Sequence, residues 1–257
     1  MRRWLVAAGV AAAALVAGAA VTVGFALHTG CDRAADAADL PDVIARFAPQ
    51  RRAVLDKRVR GLPNLQSRSY RYEIDRIPLR FRGRSTRHGR LEILLGGRRG
   101  YDIVAGRDLS GRRGEVVVEQ GVAREWDLGP GDTLQVGRAG GLRVVGVAVS
   151  PDNVAFPLAK TAKVYVDDRE YATSPEVRAN VALLWVNDRA RTPITLASAR
   201  TVAFGLGDLT FITRQGVRVA IDQAAGIVIA LLVAFALVAL VAAGTMLAAG
   251  AHAEVQR

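Results

Sequence analysis

The residues that most often carry out catalysis are scarce in this sequence of 257 residues. There is one cysteine, Cys31, and the three histidines are His28, His88 and His252. Zinc sites and cysteine–histidine nucleophile sites need several such side chains close together, and neither the counts nor the spacings provide them. The sequence therefore predicts no metal site, no intrachain disulfide and no cofactor.

Nucleotide hydrolysis is not predicted either. A phosphate-binding loop needs a Gly-Lys pair followed by Ser or Thr, because the lysine and the loop amides hold the phosphates. The lysines, Lys57, Lys160 and Lys163, follow Asp or Ala instead. A Gly-x-Ser-x-Gly nucleophile elbow is also missing from the sequence. We therefore expect that this chain is not an enzyme and that any ATP hydrolysis resides in a partner subunit.

Two pairs of carboxylates have a spacing that general acid and base groups could use. They are Asp167 with Asp168, and Glu73 with Asp75. Acid–base catalysis needs both groups in one cleft, and the pattern here is typical of solvated strand ends. Trp126 and Trp185 lie in apolar patterns, so we expect both in the core rather than in a ligand groove.

The charge is strongly positive, with a net value of +11, but it does not indicate a nucleic-acid-binding protein. The basic residues are almost all arginine and are dispersed along the chain with acidic residues between them. The densest stretch spans residues 76–99. Two interpretations of it stay open, namely a general preference of this sequence for arginine, and a contact with anionic lipid headgroups.

Two long runs without charge predict membrane-spanning helices. Residues 4–27 and residues 224–251 contain no Asp, Glu, Lys or Arg. Each run exceeds the roughly 20 helical residues that cross a hydrocarbon core about 30 Å thick. We predict transmembrane helices at 4–27 and 223–251, with the domain at 28–222 between them. Residues 1–3 and 252–257 then lie outside the spans.

The flanking charges predict the orientation in the cell membrane. Arg2, Arg3 and Arg257 lie outside the two runs, and positive residues favour the cytoplasmic side. The central domain is therefore expected to be extracytoplasmic. Residues 1–19 are alternatively a cleaved signal peptide ending in Ala-Gly-Ala, although the long apolar run favours retention. Lipidation of Cys31 is a further alternative.

The central domain combines helical and strand patterns, so the predicted fold is α+β with short strands. Apolar residues between Val43 and Val59 have helix-like spacing, with an interruption near Pro49. The alternation from Tyr70 to Asp75 predicts a strand, and a second short strand is expected near Phe81. Later segments predict the following elements: strands in EVVVEQ, TLQV, LRVVGVAVS, AKVYVDD, VALLWV and LTFIT, and helices in GVAREWDLG and from Pro193 to about Phe204.

The succession of motifs after residue 106 resembles a known family. The motifs follow one another in this order: an E-V-V-V strand at residues 115–118, a short helix at 123–128, L-G-P-G-D-T-L at 128–134, a V-V-G-V strand at 144–147 and V-Y-V at 164–166. This order is similar to the extracytoplasmic core domain of FtsX-like, MacB-type ABC transporter permeases. The end of the chain is similar to the second helix of that family and its cytoplasmic E-x-x-R stretch, here Glu254 and Arg257.

The resemblance implies a membrane permease subunit, or a permease half, of an ABC transport or mechanotransmission system. Its expected partners are an ABC ATPase, further permease spans in the same or another chain, and membrane lipid, but no nucleic acid. Glu254 and Arg257 are the candidate residues for coupling to the ATPase. The alternative is a doubly membrane-anchored extracytoplasmic binding or scaffolding protein without an ATPase partner.

Overall fold

The structure is a computed structural model that describes residues 35–150, 156–157, 159–167 and 177–255, with positions 18, 22, 30 and 33. The strands are β1 (Val43–Arg51), β2 (Leu65–Phe81), β3 (Arg84–Leu94), β4 (Asp102–Gly106), β5 (Glu115–Glu119), β6 (Thr133–Val136), β7 (Gly140–Val149), β8 (Ala162–Asp167), β9 (Arg178–Val186) and β10 (Thr210–Thr213). The helices used below are α1 (Arg52–Val59), α2 (Gln120–Trp126), α3 (Thr192–Val202) and α4 (Arg214–Val255). The predicted α+β class is confirmed.

These ten strands form one sheet with two differently built parts. The strand order is β10-β1-β9-β2-β3-β8-β5-β7-β4, and β6 pairs with both β2 and β7. Because β6 joins these two strands, the circuit β2-β3-β8-β5-β7-β6 closes on itself. We call this closed circuit the barrel lobe. The strands β10, β1 and β9 with the first half of β2 form the open lobe.

The open lobe buries one face of its sheet under two helices. Val43 from β1, Tyr70 from β2 and Leu184 from β9 pack in one cluster with Leu55 of α1 and Ala199 of α3. Helix α3 begins with Thr192 and Pro193 at its first positions, where proline fits because its missing amide hydrogen has no intrahelical acceptor. The helix predicted from Pro193 is therefore confirmed, and it covers this half of the core.

The barrel lobe buries the inward-facing residues of its own strands. The most enclosed of them have relative exposures of 0–1% and include Leu79, Val116, Leu134, Val144 and Val164. These residues alternate with outward-facing ones, as the twofold period of a strand requires. Helix α2 directs Val122 and Trp126 into the same cluster. Trp126 and Trp185 are both buried, as the sequence predicted.

The glycine-rich turn between α2 and β6 also confirms a prediction. Pro130 and Gly131 are its central residues, and the amide of Asp132 donates a hydrogen bond to the carbonyl of Gly129 (3.2 Å). Gly131 has φ of +101°, a conformation that side chains with a Cβ atom rarely adopt. The second central residue of a type II turn needs this conformation.

One predicted helix is largely a strand. The residues from Val43 to Arg51 form β1, and only Arg52–Val59 form the expected helix, α1. The apolar residues at 43, 44 and 47 fit both a helical face and a half-buried strand over such a short distance. Pairing with β9 on one side and β10 on the other selects the strand, because it satisfies the backbone on both edges.

The sequence predicted short strands, but not all strands of the structure are short. The two strands expected near residues 70–75 and 79–81 form one strand of 17 residues, β2. An irregularity in its pairing with β3 lies between Ile74 and Ile77, and Arg76 there has φ of +59°. Such a bulge interrupts the alternation of apolar and polar residues that indicates a strand in the sequence, although the strand continues through it.

The two chain ends separate from the central part. The chain divides into Ala34–Val217 and a second unit made of Met1–Arg33 and Arg218–Arg257. Across the part of the chain that is described, no helix has both the length and the mean hydropathy needed to cross a membrane. The span predicted at 4–27 lies outside the described residues apart from positions 18 and 22. The span predicted at 223–251 falls within α4, and both spans stay predictions.

Candidate functional site

The segment that enters the domain and the helix that leaves it meet at one end of the open lobe. Val43, the first residue of β1, lies opposite Thr213 of β10 and opposite Leu184 of β9. Helix α4 begins at Arg214, directly after β10, with no loop between them. The end of this strand row is therefore joined directly to the first residue of α4.

Four charged residues fasten this end, and we call them the joint: Asp36, Asp42, Arg189 and Arg214. Nη2 of Arg214 lies 2.7 Å from Oδ1 of Asp36, and Nη2 of Arg189 lies 3.3 Å from the same oxygen. The hydrogen bond from Arg214, followed by the positive charges of Arg214 and Arg189, lowers the pKa of Asp36 below its usual value. The incoming segment is thus tied to the first residue of α4.

Asp42 is the buried centre of the joint, with a relative exposure of 5%. Its Oδ1 accepts a hydrogen bond from Nε of Arg189 (3.1 Å), and its Oδ2 accepts one from the amide of Val186 (2.9 Å). Its backbone carbonyl accepts the amide hydrogen of Arg214 (3.0 Å). One residue therefore connects the incoming segment, the end of β9 and the start of α4. The two bonds to its side-chain oxygens offset the cost of burying this carboxylate.

A neighbouring contact shapes the chain between Asp36 and Asp42 of the joint. Asp39 has φ of +49°, and the amides of Asp39 and Leu40 donate to the carbonyls of Asp36 (3.0 Å) and Ala35 (2.8 Å). This pattern is a Schellman motif, which ends a helix. Asp39 pairs with Arg98, whose guanidinium lies 4.4 Å from the ring centroid of Trp185. The helical segment is therefore ended and held against β9.

A second group of charges lies where the two lobes meet. Nη1 of Arg71 in β2 lies 2.5 Å from Oε2 of Glu92 in β3, and their side chains are only 4% and 1% exposed. The Arg71 guanidinium also bonds to the carbonyl of Arg99 and lies 5.7 Å from the ring centroid of Tyr165 in β8. Because β2 belongs to both lobes, this pair fastens the strand that the lobes share to β3 of the barrel lobe.

The carboxylate pairs considered for acid–base chemistry form ion pairs instead. Glu73 bonds to Arg46 (3.1 Å), and Asp75 bonds to Arg90 (2.6 Å). Asp167 pairs with Arg99 (2.9 Å), while Asp168 lies outside the described residues. Within the residues that are described, no group of three or more His, Cys, Asp or Glu side chains could hold a metal ion.

The role of the two predicted coupling residues, Glu254 and Arg257, stays a prediction. Glu254 belongs to α4, which continues to Val255, and Arg257 lies outside the described residues. The residues of the joint were not predicted from the sequence. Asp36 and Asp42 stand six positions apart before the first strand, but Arg189 and Arg214 are more than 145 positions further along the chain. Only the spacing of the aspartates could have drawn attention to them.

Comparisons with known proteins concern the central domain. No protein-family model matches the sequence, and no curated relative matches it. The fold is similar to the extracellular domain of the noncanonic ABC-type transporter YknZ from Gram-positive bacteria, with 13% identity and a TM-score of 0.46, covering 66% of this chain and 98% of that one. It is also similar to the periplasmic region of MacB from Actinobacillus actinomycetemcomitans, with 13% identity and a TM-score of 0.45, covering 71% and 92%.

A third solved structure is a domain of a putative permease protein from Porphyromonas gingivalis. Its identity is 9% and its TM-score 0.34, and the match covers 66% of this chain and 86% of that one. These structures are extracellular or periplasmic regions, or a domain, of proteins described as an ABC-type transporter, MacB and a permease. One of these structures belongs to MacB, and the sequence motifs resemble the core domain of MacB-type permeases.

Proposed function

We propose that this chain is a permease subunit, or the first half of a permease, in an ABC transport or mechanotransmission system. Its central domain lies outside the cell membrane, and a separate ATPase supplies the energy. The observation that carries the proposal is the direct passage from β10 into α4 at Arg214, together with the ion pairs of the joint. Because no loop separates this strand from the helix, we propose that movement of α4 is passed to the sheet.

The surface of α4 supports placing this helix in the membrane. Five of its apolar side chains, spaced three or four residues apart, are 55–71% exposed: Ile227, Leu231, Phe235, Val238 and Val241. Residues at such spacing lie along one face of a helix, and an exposed apolar stripe of this length needs a lipid or protein cover. The uncharged run of 28 residues within this helix exceeds the roughly 20 needed to span a bilayer.

In this proposal the joint, the buried pair Arg71–Glu92 and the C-terminal residues have different roles. The joint passes the motion of α4 to β1 and β9, and the buried pair Arg71–Glu92 keeps β2 and β3 together, so that the barrel lobe moves with the open lobe. Glu254 and Arg257 begin the cytoplasmic stretch that contacts the ATPase. Further permease spans come from the same polypeptide or from a companion chain.

The first experiment tests the topology. A membrane-impermeant thiol reagent is applied to intact cells that make the full chain with Cys31→Ser and Arg178→Cys, since Arg178 is exposed. A matched variant carries a cysteine after Arg257 instead. We expect labelling of the first variant only, and labelling of the C-terminal cysteine alone would contradict the proposal.

The second experiment tests the partner. The full chain is purified from its native membranes in mild detergent, and co-purifying ATPase activity is measured with vanadate as inhibitor. We expect vanadate-sensitive activity that falls in the double variant Glu254→Gln, Arg257→Gln and persists in the control Arg178→Gln. A membrane-inserted chain that purifies alone would favour the doubly anchored binding or scaffolding protein.

A further inference from the structure

The tip of the β2–β3 hairpin borders a polar groove that the proposed function does not use. The groove has a volume of about 670 Å³ and is lined by the hairpin, by Asp132 of the turn before β6 and by β6 itself. Four of its residues are arginines, namely Arg80, Arg82, Arg84 and Arg87, and its one acidic residue is Asp132. We call this feature the hairpin groove.

The positive charge of the hairpin groove is largely uncompensated. Residues 76–90 contain six arginines and no acidic residue. Arg82 bonds to Asp132 (3.1 Å), whose other oxygen already accepts the amide hydrogen of Gly129 (2.9 Å). In the described part of the chain, the side chains of Arg80, Arg84 and Arg87 make no ion pair or hydrogen bond. All three are exposed, so their donors are open to a ligand.

The backbone of the hairpin presents one of these arginines at an unusual position. Arg82 and Gly83 form the two-residue turn, with φ of +42° and +83°. A turn of this type usually has Asn or Asp followed by Gly, because a longer side chain at positive φ is strained. The Arg82 guanidinium is held 4.8 Å from the ring centroid of Phe81. The contacts of Arg82 with Phe81 and Asp132 therefore place a cation at the edge of the groove.

The remaining lining residues match the chemistry of phosphate. Ser85, Thr86 and Thr133 offer hydroxyl groups, and Gln135 offers an amide, beside the guanidinium forks. Phosphate oxygens accept hydrogen bonds only, and the planar guanidinium meets two of them at once. An acidic peptide would in addition seek apolar pockets, and the side chains of Phe81 and Pro78 are the groove's only apolar lining.

We propose that the hairpin groove binds a ligand that carries several phosphate groups in a row. Four arginines around one groove favour a chain of phosphates over a single phosphate ion, because repeated charges can engage them together. Arg68 of β2 lies opposite Leu184 of β9, and Leu184 lies opposite Val43 beside the joint. From Arg68 to the hairpin tip, β2 rises roughly 3.3 Å per residue, so the tip lies up to about 40 Å from the joint. Binding there is a separate property that does not depend on the proposed transport function.

The test uses the full chain, purified in detergent at physiological salt, with linear sodium polyphosphate as the probe in isothermal titration calorimetry. The groove variant replaces Arg80, Arg84 and Arg87 with glutamine. The control variant makes the same change of net charge at three exposed arginines elsewhere, namely Arg124, Arg178 and Arg191. We expect the groove variant to bind at least about tenfold more weakly, which corresponds to the loss of one or more charge-assisted hydrogen bonds. The control variant should keep the affinity of the unchanged chain.

A second variant separates charge from geometry. Replacing the same three arginines with lysine keeps the charge but removes the planar fork, so binding should weaken without being lost. If the glutamine variant unfolds, the lysine variant still tests whether the three arginines bind polyphosphate. Equal losses in the groove and control variants would overturn the proposal, because binding would then follow net charge alone.

Two further probes identify the ligand class. Poly-glutamate of matched length tests carboxylates, and binding as tight as that of polyphosphate would overturn the assignment to phosphate. Vesicles containing phosphatidylglycerol, compared with neutral vesicles by flotation, test whether the phosphates belong to lipid. Each phosphatidylglycerol headgroup carries one phosphate, so flotation that depends on the three arginines without polyphosphate binding would overturn the assignment to a phosphate chain. Polyphosphate binding, with or without flotation, would support it. Binding of none of the probes would overturn it.

Discussion

The two ends of strand β2 are both rich in arginine, and they differ in what surrounds it. At the joint, beside the start of β2, Arg189 and Arg214 contact Asp36 or Asp42 at 2.7–3.3 Å. At the hairpin groove, three arginines have no acidic partner among the residues that the structure describes. The same residue type thus fastens backbone segments at one end and leaves free donors at the other.

This difference predicts that arginine contributes to stability at one end and to binding at the other. Paired arginines satisfy buried carboxylates, so their removal leaves a charge without its partner. Unpaired, exposed arginines repel one another, so their removal costs the fold little. The predictions below test this contrast from the largest expected effect to the smallest.

The largest effect is expected where a pair is fully buried. Arg71→Met should lower the free energy of unfolding by about 3–5 kcal/mol, because the Glu92 carboxylate would lose its buried partner. The measurement is urea unfolding of the full chain followed by circular dichroism. The double variant Arg71→Met, Glu92→Met serves as the control and should be more stable than Arg71→Met alone. A cost below about 1 kcal/mol for Arg71→Met would contradict the prediction.

The joint should show an intermediate effect. Asp42→Ala is expected to cost about 2 kcal/mol, because the amide of Val186 and the guanidinium of Arg189 lose their common acceptor. Amide hydrogen exchange of Val186 and Arg214 should become faster in the same variant. Asp75→Ala, which removes an exposed ion pair with Arg90, is the matched control and should cost less than about 1 kcal/mol. Equal losses of unfolding free energy in the two variants would mean that Asp42 stabilises the fold no more than a surface ion pair does.

A smaller, pH-dependent effect should separate the two ends. The pKa of Asp36 is lower in the folded chain, chiefly through the hydrogen bond from Arg214. Its contribution is therefore fully present above the unfolded pKa of about 4 and is lost as the pH falls through the folded value. Because the Asp36 side chain is 58% exposed, we expect less than about 1 kcal/mol from it.

Hydrogen exchange at Arg214, followed from pH 6 to pH 3, measures this effect. Exchange corrected for its intrinsic pH dependence should rise at the acid end in the unchanged chain and less so in Asp36→Asn. Exchange in the hairpin should not follow the same curve, since arginine remains charged throughout this range. An identical pH profile in Asp36→Asn would show that another group controls the joint.

The smallest effect on stability is expected in the groove. Arg84→Gln should change the free energy of unfolding by no more than about 0.5 kcal/mol, with a slight gain if repulsion is relieved. Arg189→Gln at the joint is the matched comparison and should lose more. Thermal unfolding of both variants checks the order. If Arg84→Gln proves the more destabilising, the hairpin arginines serve the fold and the contrast between the two ends fails.

Local signals in the sequence predicted many of the elements correctly. The strand at residues 115–118 and the helix that begins at Gln120 follow from short apolar patterns, and Gly131 follows from the geometry of its turn. The strand β1 was predicted as a helix because Val43, Ile44 and Phe47 fit both periods. Its identity depends on β9 and β10, which lie more than 120 residues further along the chain.

The sequence by itself determined the α+β class, the two uncharged runs at the ends, the absence of nucleotide-binding and nucleophile motifs, and the excess of arginine. These properties depend on composition and on neighbours along the chain. Only the tertiary structure decided which arginines are paired, because Asp42 and Arg189 meet through strand pairing across 147 positions. It also decided that β6 closes the barrel and that the arginines of the hairpin border one groove. Such contacts depend on long-range pairing, which the pattern of neighbouring residues does not specify.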